Sequence, residues 1–439
     1  MPYLLNIAYL LFLVCAAPWL ACQALRKGKY REGFAAKLLG RVPVRRSDRP
    51  CAWFHAVSVG EVNLLVPLVA RFSERYPAWE CVISTTTMTG YRLAQTKFAA
   101  SVVFYCPLDF TWAVRTALRR IRPSLLVLAE LELWPNLITS ARAAGVRVAV
   151  VNGRVSDRSF RGYGRLKFFI GRLLGRIDLI AAQNSEYADR FCRLGAAAQK
   201  VHVTGSIKFD GAQADRNNSA TLKLRQLANF RDEDVVFLAG STQEPEEQLA
   251  LEAFRRLSLR FPRLRLVLVP RHPDRFDRVA ELLDNSAMFW QRRSRLEQFT
   301  PDARTRIILV DRIGELGAWW GAAHIAFVGG SLGRRGGQNM IEPAAYGAAV
   351  SFGPNTQNFR DVVAMLLDAQ AAVVVRNQQT LMDFVACCLE DPAFAAELGA
   401  RAKSVVAEQV GATRRTLDLL ASIMPAELNE SSAGRNRAA

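Results

Sequence analysis

Short runs of β-branched and aliphatic residues alternate with amphipathic stretches twice along this chain, and that rhythm limits the fold more than any single motif does. CAWFHAV, CVIST, SVVFY, SLLVLAE, VRVAVV and DLIAAQ come first, separated by segments such as DFTWAVRTALRRIR, whose apolar residues recur at helical spacing. Runs that are apolar at successive positions are strands buried on both faces, so the series predicts a parallel sheet covered by helices. The pattern fades in a polar patch, QADRNNSA, and starts afresh with VVFLAG, LRLVLVP, RIILV and HIAFVGG. Two doubly wound α/β domains are expected, residues 51–215 and 216–424, joined near Gly211 to Asn218, with ligands between the C-terminal edges of the two sheets. A length of 439 residues fits two cores better than one.

From Tyr3 to Leu25 no residue is charged, and at roughly 1.5 Å per residue the run is long enough for a hydrocarbon core of about 30 Å. Arg26, Lys27, Lys29 and Arg31 follow at once. The positive-inside rule then makes residues 1–25 a single-pass transmembrane anchor with the domains in the cytoplasm; a cleaved signal peptide would need a basic start and a shorter apolar core. Residues 26–50 form a basic connector containing Arg41, Arg45, Arg46 and Arg49, and the polar residues 425–439 read as a disordered tail. The net charge of +18 calls for a polyanionic neighbour, and beside an anchor anionic membrane lipid is a simpler one than nucleic acid. The eight cysteines make no C-x-x-C pair, and no HExxH or clustered His/Cys set occurs, so neither a disulfide framework nor a metal site is expected.

Polar residues sit at the ends of the expected strands. In FHAVSVGEVNLLVPLVARF, Ser58, Gly60 and Glu61 mark a strand-to-helix turn, where Glu61 is either a partner of the helix dipole or a general base facing the ligand. Glu130 and Glu132 close the run LAELELW; two apart on a strand they would share a face, and the pKa of one would rise unless a cation such as Lys208 compensated. The alternative is that the chain is already helical there and the two acids lie apart on solvent. In the second half, Ser241 and Thr242 stand where hydroxyls cap a helix or touch phosphate, Arg271 and His272 offer a fixed cation beside a titratable donor, and Gly314 and Glu315 open another helix. His55, His202 and His324 read as packing or capping groups. The stretch IAFVGGSLGRRGGQNMIEPAAYG runs from strand through a glycine loop to a helical segment with Asn339 and Glu342. Its amides and helix N-terminus suit a phosphate, and Glu342 suits a ribose; the competing reading is a structural turn.

The ordered set HAVSVGE, STTTMTGY, YCPLDF, ELELWPN, NGRVSDRS, GSIKFD, GSTQEPEE, PRHPDRF, IGELGAWW and GGSLGRRGGQNMIEPAA closely resembles the 3-deoxy-D-manno-octulosonic acid (Kdo) transferases of lipopolysaccharide synthesis. The resemblance runs from the anchor to about residue 410. It implies a GT-B fold, two Rossmann-like domains facing a cleft, and transfer of Kdo from CMP-Kdo to a phosphorylated lipid A precursor at the cytoplasmic face of the inner membrane. By resemblance Glu61 is the catalytic base, while Ser58, Gly60, Glu130, Glu132 and Lys208 lie on the acceptor side. Ser241, Thr242, Arg271, His272, Gly314, Glu315, Leu316, Ser331, Gly337, Asn339 and Glu342 fall on the donor side. Gln338 and Asn355 stand where the family commonly has histidine.

With a nucleotide leaving group stabilised by Arg271 and backbone N–H groups, one base suffices for inversion and no metal or other cofactor is expected. The basic amphipathic stretch FRGYGRLKFFIGRLLGR, with Phe160, Tyr163, Leu166, Ile170 and Leu173 as its apolar residues, suits a bilayer surface as well as a helix covering the core. Three other functions fit parts of the pattern: a GT-B enzyme using a nucleoside-diphosphate sugar, a sugar-nucleotide epimerase, and a non-enzymatic membrane-bound nucleotide sensor.

Overall fold

In the computed structural model the residues described are 2–27, 32–299, 301–302 and 304–425, with side chains of the first helix described for 5–11 and 13–18. The expected tail, 425–439, lies outside them but for its first residue, as does part of the basic connector. The chain divides into two compact units, one running to Gly211 and resuming at Val410, the other spanning Ala212–Gln409.

The first unit holds seven strands: β1 (Cys51–His55), β2 (Glu80–Thr85), β3 (Val102–Tyr105), β4 (Leu125–Ala129), β5 (Arg147–Gly153), β6 (Leu179–Ala182) and β7 (Val201–Val203). They pair in parallel in the order β3-β2-β1-β4-β5-β6-β7. The apolar runs explain the layering. Alternate residues of β4 point to opposite faces, so Leu126 and Leu128 pack with Trp53 in one core, while Leu125 and Val127 pack with Phe54 and Phe72 in the other. Both faces are covered by helices.

The second unit repeats the plan with β8 (Val235–Thr242), β9 (Leu264–Pro270), β10 (Trp290–Arg292), β11 (Ile307–Leu309), β12 (Ile325–Val328), β13 (Ala349–Phe352) and β14 (Ala372–Val374). Its parallel order is β10-β11-β9-β8-β12-β13-β14. In each sheet the order reverses beside one central strand, between β1 and β4 in the first and between β8 and β12 in the second. Loops leaving such strands diverge and leave a crevice, the usual ligand position of an open α/β sheet.

Two expectations about organisation change. The second domain was expected to run to 424, but the helix Ala412–Ile423 packs on the first unit, placing Ala412, Leu417 and Leu420 in its core. The N-terminal run does form a helix, Pro2–Lys27, yet among the described residues no helix is long and apolar enough to cross a membrane. Part of the expected span, 19–25 among it, has side chains outside those described. Its first turns carry polar groups that bind the first unit. Asn6 is buried, donating to Thr111 Oγ1 at 2.7 Å and accepting from Thr111 N at 3.1 Å, and the Tyr9 hydroxyl donates to Asp109 at 3.2 Å. Ile7, Leu10, Leu11 and Val14 remain exposed on that helix.

Candidate active site

At the first switch point the chain leaves β1, turns through Ala56 and Val57, and enters the helix Val59–Arg75 with Ser58 as N-cap. Glu61 occupies the helix's first turn, and its carboxylate folds back over the turn. Oε2 accepts from Val57 N at 2.8 Å and Oε1 from the Ser58 hydroxyl at 2.8 Å. The hydroxyls of Thr85, Thr86 and Thr87 all lie within 3.4 Å of the Val57 carbonyl, so the STTT segment at the end of β2 pins the far side of the same peptide turn. The helix-dipole role and a fixed carboxylate at the switch point are thus one geometry. Gly60 is exposed with only Ser58 Oγ nearby, leaving the helix start uncovered.

The loop after β4 completes the cluster, though not as a strand. β4 ends at Ala129; Glu130 has φ 55° and Glu132 lies beyond the turn, so the two acids do not share a strand face. Glu130 instead forms an ion pair with Lys208 at 3.1 Å, and Glu132 accepts from Trp134 Nε1 at 2.9 Å. Glu61, Glu130, Glu132 and Lys208 act on one another electrostatically. Burial raises the Glu61 pKa, opposed by the Val57 and Ser58 hydrogen bonds; Glu130 adds to the rise and Lys208 subtracts. Burial also pushes the Glu132 carboxyl up to about 7, and the like charges of Glu61 and Glu130 contribute. Beneath them His55 is fully buried with Nδ1 2.8 Å from Ser84 Oγ, and burial lowers its pKa to about 4, so it is a neutral packing group.

The Glu132 shift sets a pH dependence. Its carboxyl ionises near 4.5 when unfolded and near 7 when folded, so the folded state binds more protons between those values. The corresponding stability is complete below about 4.5 and is lost as pH rises through about 7. Glu132→Gln, which keeps an acceptor for Trp134, should therefore melt at a higher temperature than the parent at pH 8 and at the same temperature near pH 4. Identical melting curves at pH 8 would refute the assignment.

In the second unit, Ser241 and Thr242 end β8, Ser241 at φ 55°, and neither caps the helix Glu246–Ser258, whose N-cap is Pro245. Arg271 and His272 follow β9 and are exposed; the Arg271 amide donates to Thr242 O at 3.0 Å, tying the ends of β8 and β9. Gly314, at φ 91°, is open to solvent and precedes the helix Leu316–Ala322. Glu315 is committed internally. Its carboxylate receives both Nε and Nη2 of buried Arg293, at 2.8 and 2.9 Å.

Glu342 is half-buried and accepts from Asn339 Nδ2 at 2.9 Å, while Asn339 Oδ1 accepts from Ile341 N. Burial raises the Glu342 pKa and the Asn339 bond opposes it. A Cβ on Gly317 would lie 3.9 Å from Glu342 Oε2, which puts the IGELGAWW and NMIEP motifs side by side. Asn355 donates to Leu332 O at 3.0 Å, so this departure from the commoner histidine still braces the loop. Gln338 reaches back over Gly330, at whose ideal Cβ its Nε2 would stand 3.2 Å away.

The glycine loop itself differs from expectation. The helix behind it, Ile341–Ala345, has only five residues and so little dipole to offer a phosphate. Ser331 is buried, its hydroxyl donating to Val328 O and accepting from Gly353 N. The amides of Gly330, Ser331 and Leu332 are all bonded to Glu246, a residue the sequence did not single out. Gly337, at φ 77°, donates its amide to Gly330 O and closes the loop.

Two parallel, doubly wound units, each gathering polar groups where its strand order reverses, make an α/β architecture of the GT-B type. The fold is shared with the UDP-GlcNAc 2-epimerase from Neisseria meningitidis, TM-score 0.58 and 12% identity over 85% of this chain and all of that one. A glycosyltransferase from Rickettsia africae gives 0.54 and 12% over 87% of this chain and all of that one. At those identities the likeness is one of fold alone. Residues 30–211 match the family described as 3-deoxy-D-manno-octulosonic-acid transferase (kdotransferase). The 3-deoxy-D-manno-octulosonic acid transferase of Haemophilus influenzae is 35% identical over 371 residues, 84% of this chain and 86% of its own length. That of Bordetella pertussis is 36% identical over 415 residues, 92% and 94% respectively. The chain belongs to the Kdo transferase family and is a glycosyltransferase.

Proposed function

We propose that the protein transfers Kdo from CMP-Kdo to a phosphorylated lipid A precursor, lipid IVA, with inversion at the sugar carbon. The observation that carries this is the carboxylate of Glu61, held by Val57 N–H and the Ser58 hydroxyl at the switch point of the first unit, with its pKa raised by burial. Glu61 accepts the proton of the acceptor hydroxyl as that oxygen attacks. Lys208, paired with Glu130, supplies positive charge beside it and limits repulsion among the three carboxylates. Ser58 and Gly60 form the helix start against which the acceptor rests.

In this reading the second unit holds the donor. Arg271 and His272 meet the phosphate, Asn339 and Glu342 the ribose, and Leu316 with Gly314 the neighbouring wall. CMP departs as a stabilised anion, so the reaction needs neither a protonated leaving group nor a divalent ion. Glu315, paired with buried Arg293, and buried Ser331 act indirectly, holding those segments in place.

We place the enzyme at the cytoplasmic face of the inner membrane, associated with anionic lipid. Supporting this are the apolar N-terminal helix with Ile7, Leu10, Leu11 and Val14 exposed, and the segment 157–174 with exposed Leu166, Phe168 and Phe169 among its arginines. Phe160, Tyr163, Ile170 and Leu173 of that segment pack on the core instead. Incubating the purified protein with CMP-Kdo and tetraacylated lipid A precursor in excess EDTA should add one or more Kdo units to the acceptor, read by mass spectrometry. Transfer from UDP-sugars but not CMP-Kdo would overturn the donor, and activity restored only by a specific cation would overturn metal independence.

A further inference from the structure

The loop after β12 presents its first amides to a single buried carboxylate. Gly330 N donates to Glu246 Oε2 at 2.7 Å, Ser331 N and Leu332 N donate to Oε1 at 3.0 and 2.9 Å, and Gln243 N donates to Oε2 at 2.9 Å. Glu246 is 1% exposed. Burial raises its pKa, and these four backbone donors all lower it. A Cβ at Gly329 would stand 2.7 Å from Glu246 Oε2 and 2.6 Å from Thr242 Cα, which is why that position is glycine. The carboxylate therefore occupies the anion nest that a donor phosphate would otherwise use. An incoming phosphate would have to displace an anion that is tethered to the same unit and pays no association entropy.

Beyond the nest the loop changes character. Gly333, Arg334 and Arg335 are exposed, and neither arginine has an ion-pair partner among the described residues. They border a cavity of about 360 Å³ together with Gln243, Glu244, Glu246 and Gly330. We propose that Glu246 is a positioning residue, an internal anion that fills the amide nest of Gly330 to Leu332 and so fixes the loop in the shape in which Arg334 and Arg335 join Arg271 and His272 in receiving the donor phosphate. The proposal rests on the donor reading of the second unit and adds to it a residue that acts through the loop it holds.

Glu246→Gln replaces one acceptor oxygen by an NH₂ group facing N–H donors. It should weaken CMP binding by about tenfold or more and raise the donor KM similarly, while kcat at saturating donor stays within about threefold. A variant that only melts lower, with CMP affinity of its folded fraction unchanged, would show a merely structural role and overturn the proposal. The parent protein gives a second measurement that does not depend on the variant folding. In amide hydrogen exchange, 330–332 should be protected with or without CMP, and 333–336 should gain protection only when CMP is added. If 330–332 exchange freely until CMP arrives, those amides belong to the ligand and the proposal fails. Protection by CMP at Arg271 and Glu342 but not at 333–336 overturns the proposal alone; no protection by CMP anywhere sinks the donor reading and the proposal with it.

Discussion

Glu61→Gln should lower kcat by at least about a hundredfold while leaving CMP affinity within a few fold, because the lost group acts on the acceptor proton and not on the donor. The substitution is conservative in shape. Glutamine keeps one oxygen able to accept from Val57 N–H or the Ser58 hydroxyl, which now bind separate oxygens 2.8 Å away. What it loses is basicity. Burial raises its pKa and so its basicity, while the two hydrogen bonds and Lys208 oppose the rise. Steady-state kinetics with acceptor varied, beside calorimetric titration with CMP, separates the two effects. A variant with near-parent turnover would end the case for Glu61 as base, and one with lost CMP binding would mean that the donor site, not the base, had been disturbed.

The strand-loop-helix punctuation made the switch-point loops legible from sequence. Ser58, Glu61 and Glu130 follow strands whose burial on both faces is written in consecutive apolar residues, so their place at the sheet edge follows from pattern alone. Glu132 was misplaced for a local reason: the strand stops at Ala129, and Glu130 adopts a left-handed turn that periodicity cannot reveal. The edge strands β7, β10 and β14 have three residues each, too few for a period to register.

Long-range pairing was the part that sequence concealed. The glycine loop reads as an empty anion site because its occupant, Glu246, lies 84 positions before Gly330, at the start of a helix where a glutamate is unremarkable. Glu315 likewise has a partner that the sequence conceals: Arg293, 22 residues earlier and buried, donates to both its oxygens. An amphipathic helix has the same pattern whichever sheet it covers. Nothing in ATRRTLDLLASI says that it returns to the first unit, and that return has a consequence for the site.

The returning helix is held by Asp210, and Asp210→Ala should destabilise the first unit by about 3 kcal/mol. Gly411, the helix's N-cap, has φ 93° and no side chain to cap with. Asp210 does so from a distance, accepting from Gly411 N at 2.6 Å, Ala412 N at 3.2 Å and Thr413 N. Without the carboxylate these amides lose their partner, and the anchoring of Leu417 and Leu420 in the core is left to Arg415, which donates to Thr204 O at 2.7 Å, and to the exposed Arg75–Asp418 pair. For a unit of this size the first calorimetric transition should fall by roughly 6–12 °C. Lys208 sits two residues before Asp210 in the single turn Ile207–Phe209, so loosening that turn also frees the cation from Glu130. Turnover should therefore drop several-fold even well below the melting temperature, with CMP affinity unchanged. Asp210→Asn, which retains one acceptor oxygen, should fall between the two in both stability and rate. A parent-like melting temperature for the alanine variant would show that core packing alone holds the helix, and parent-like turnover would show that Lys208 is positioned independently of it.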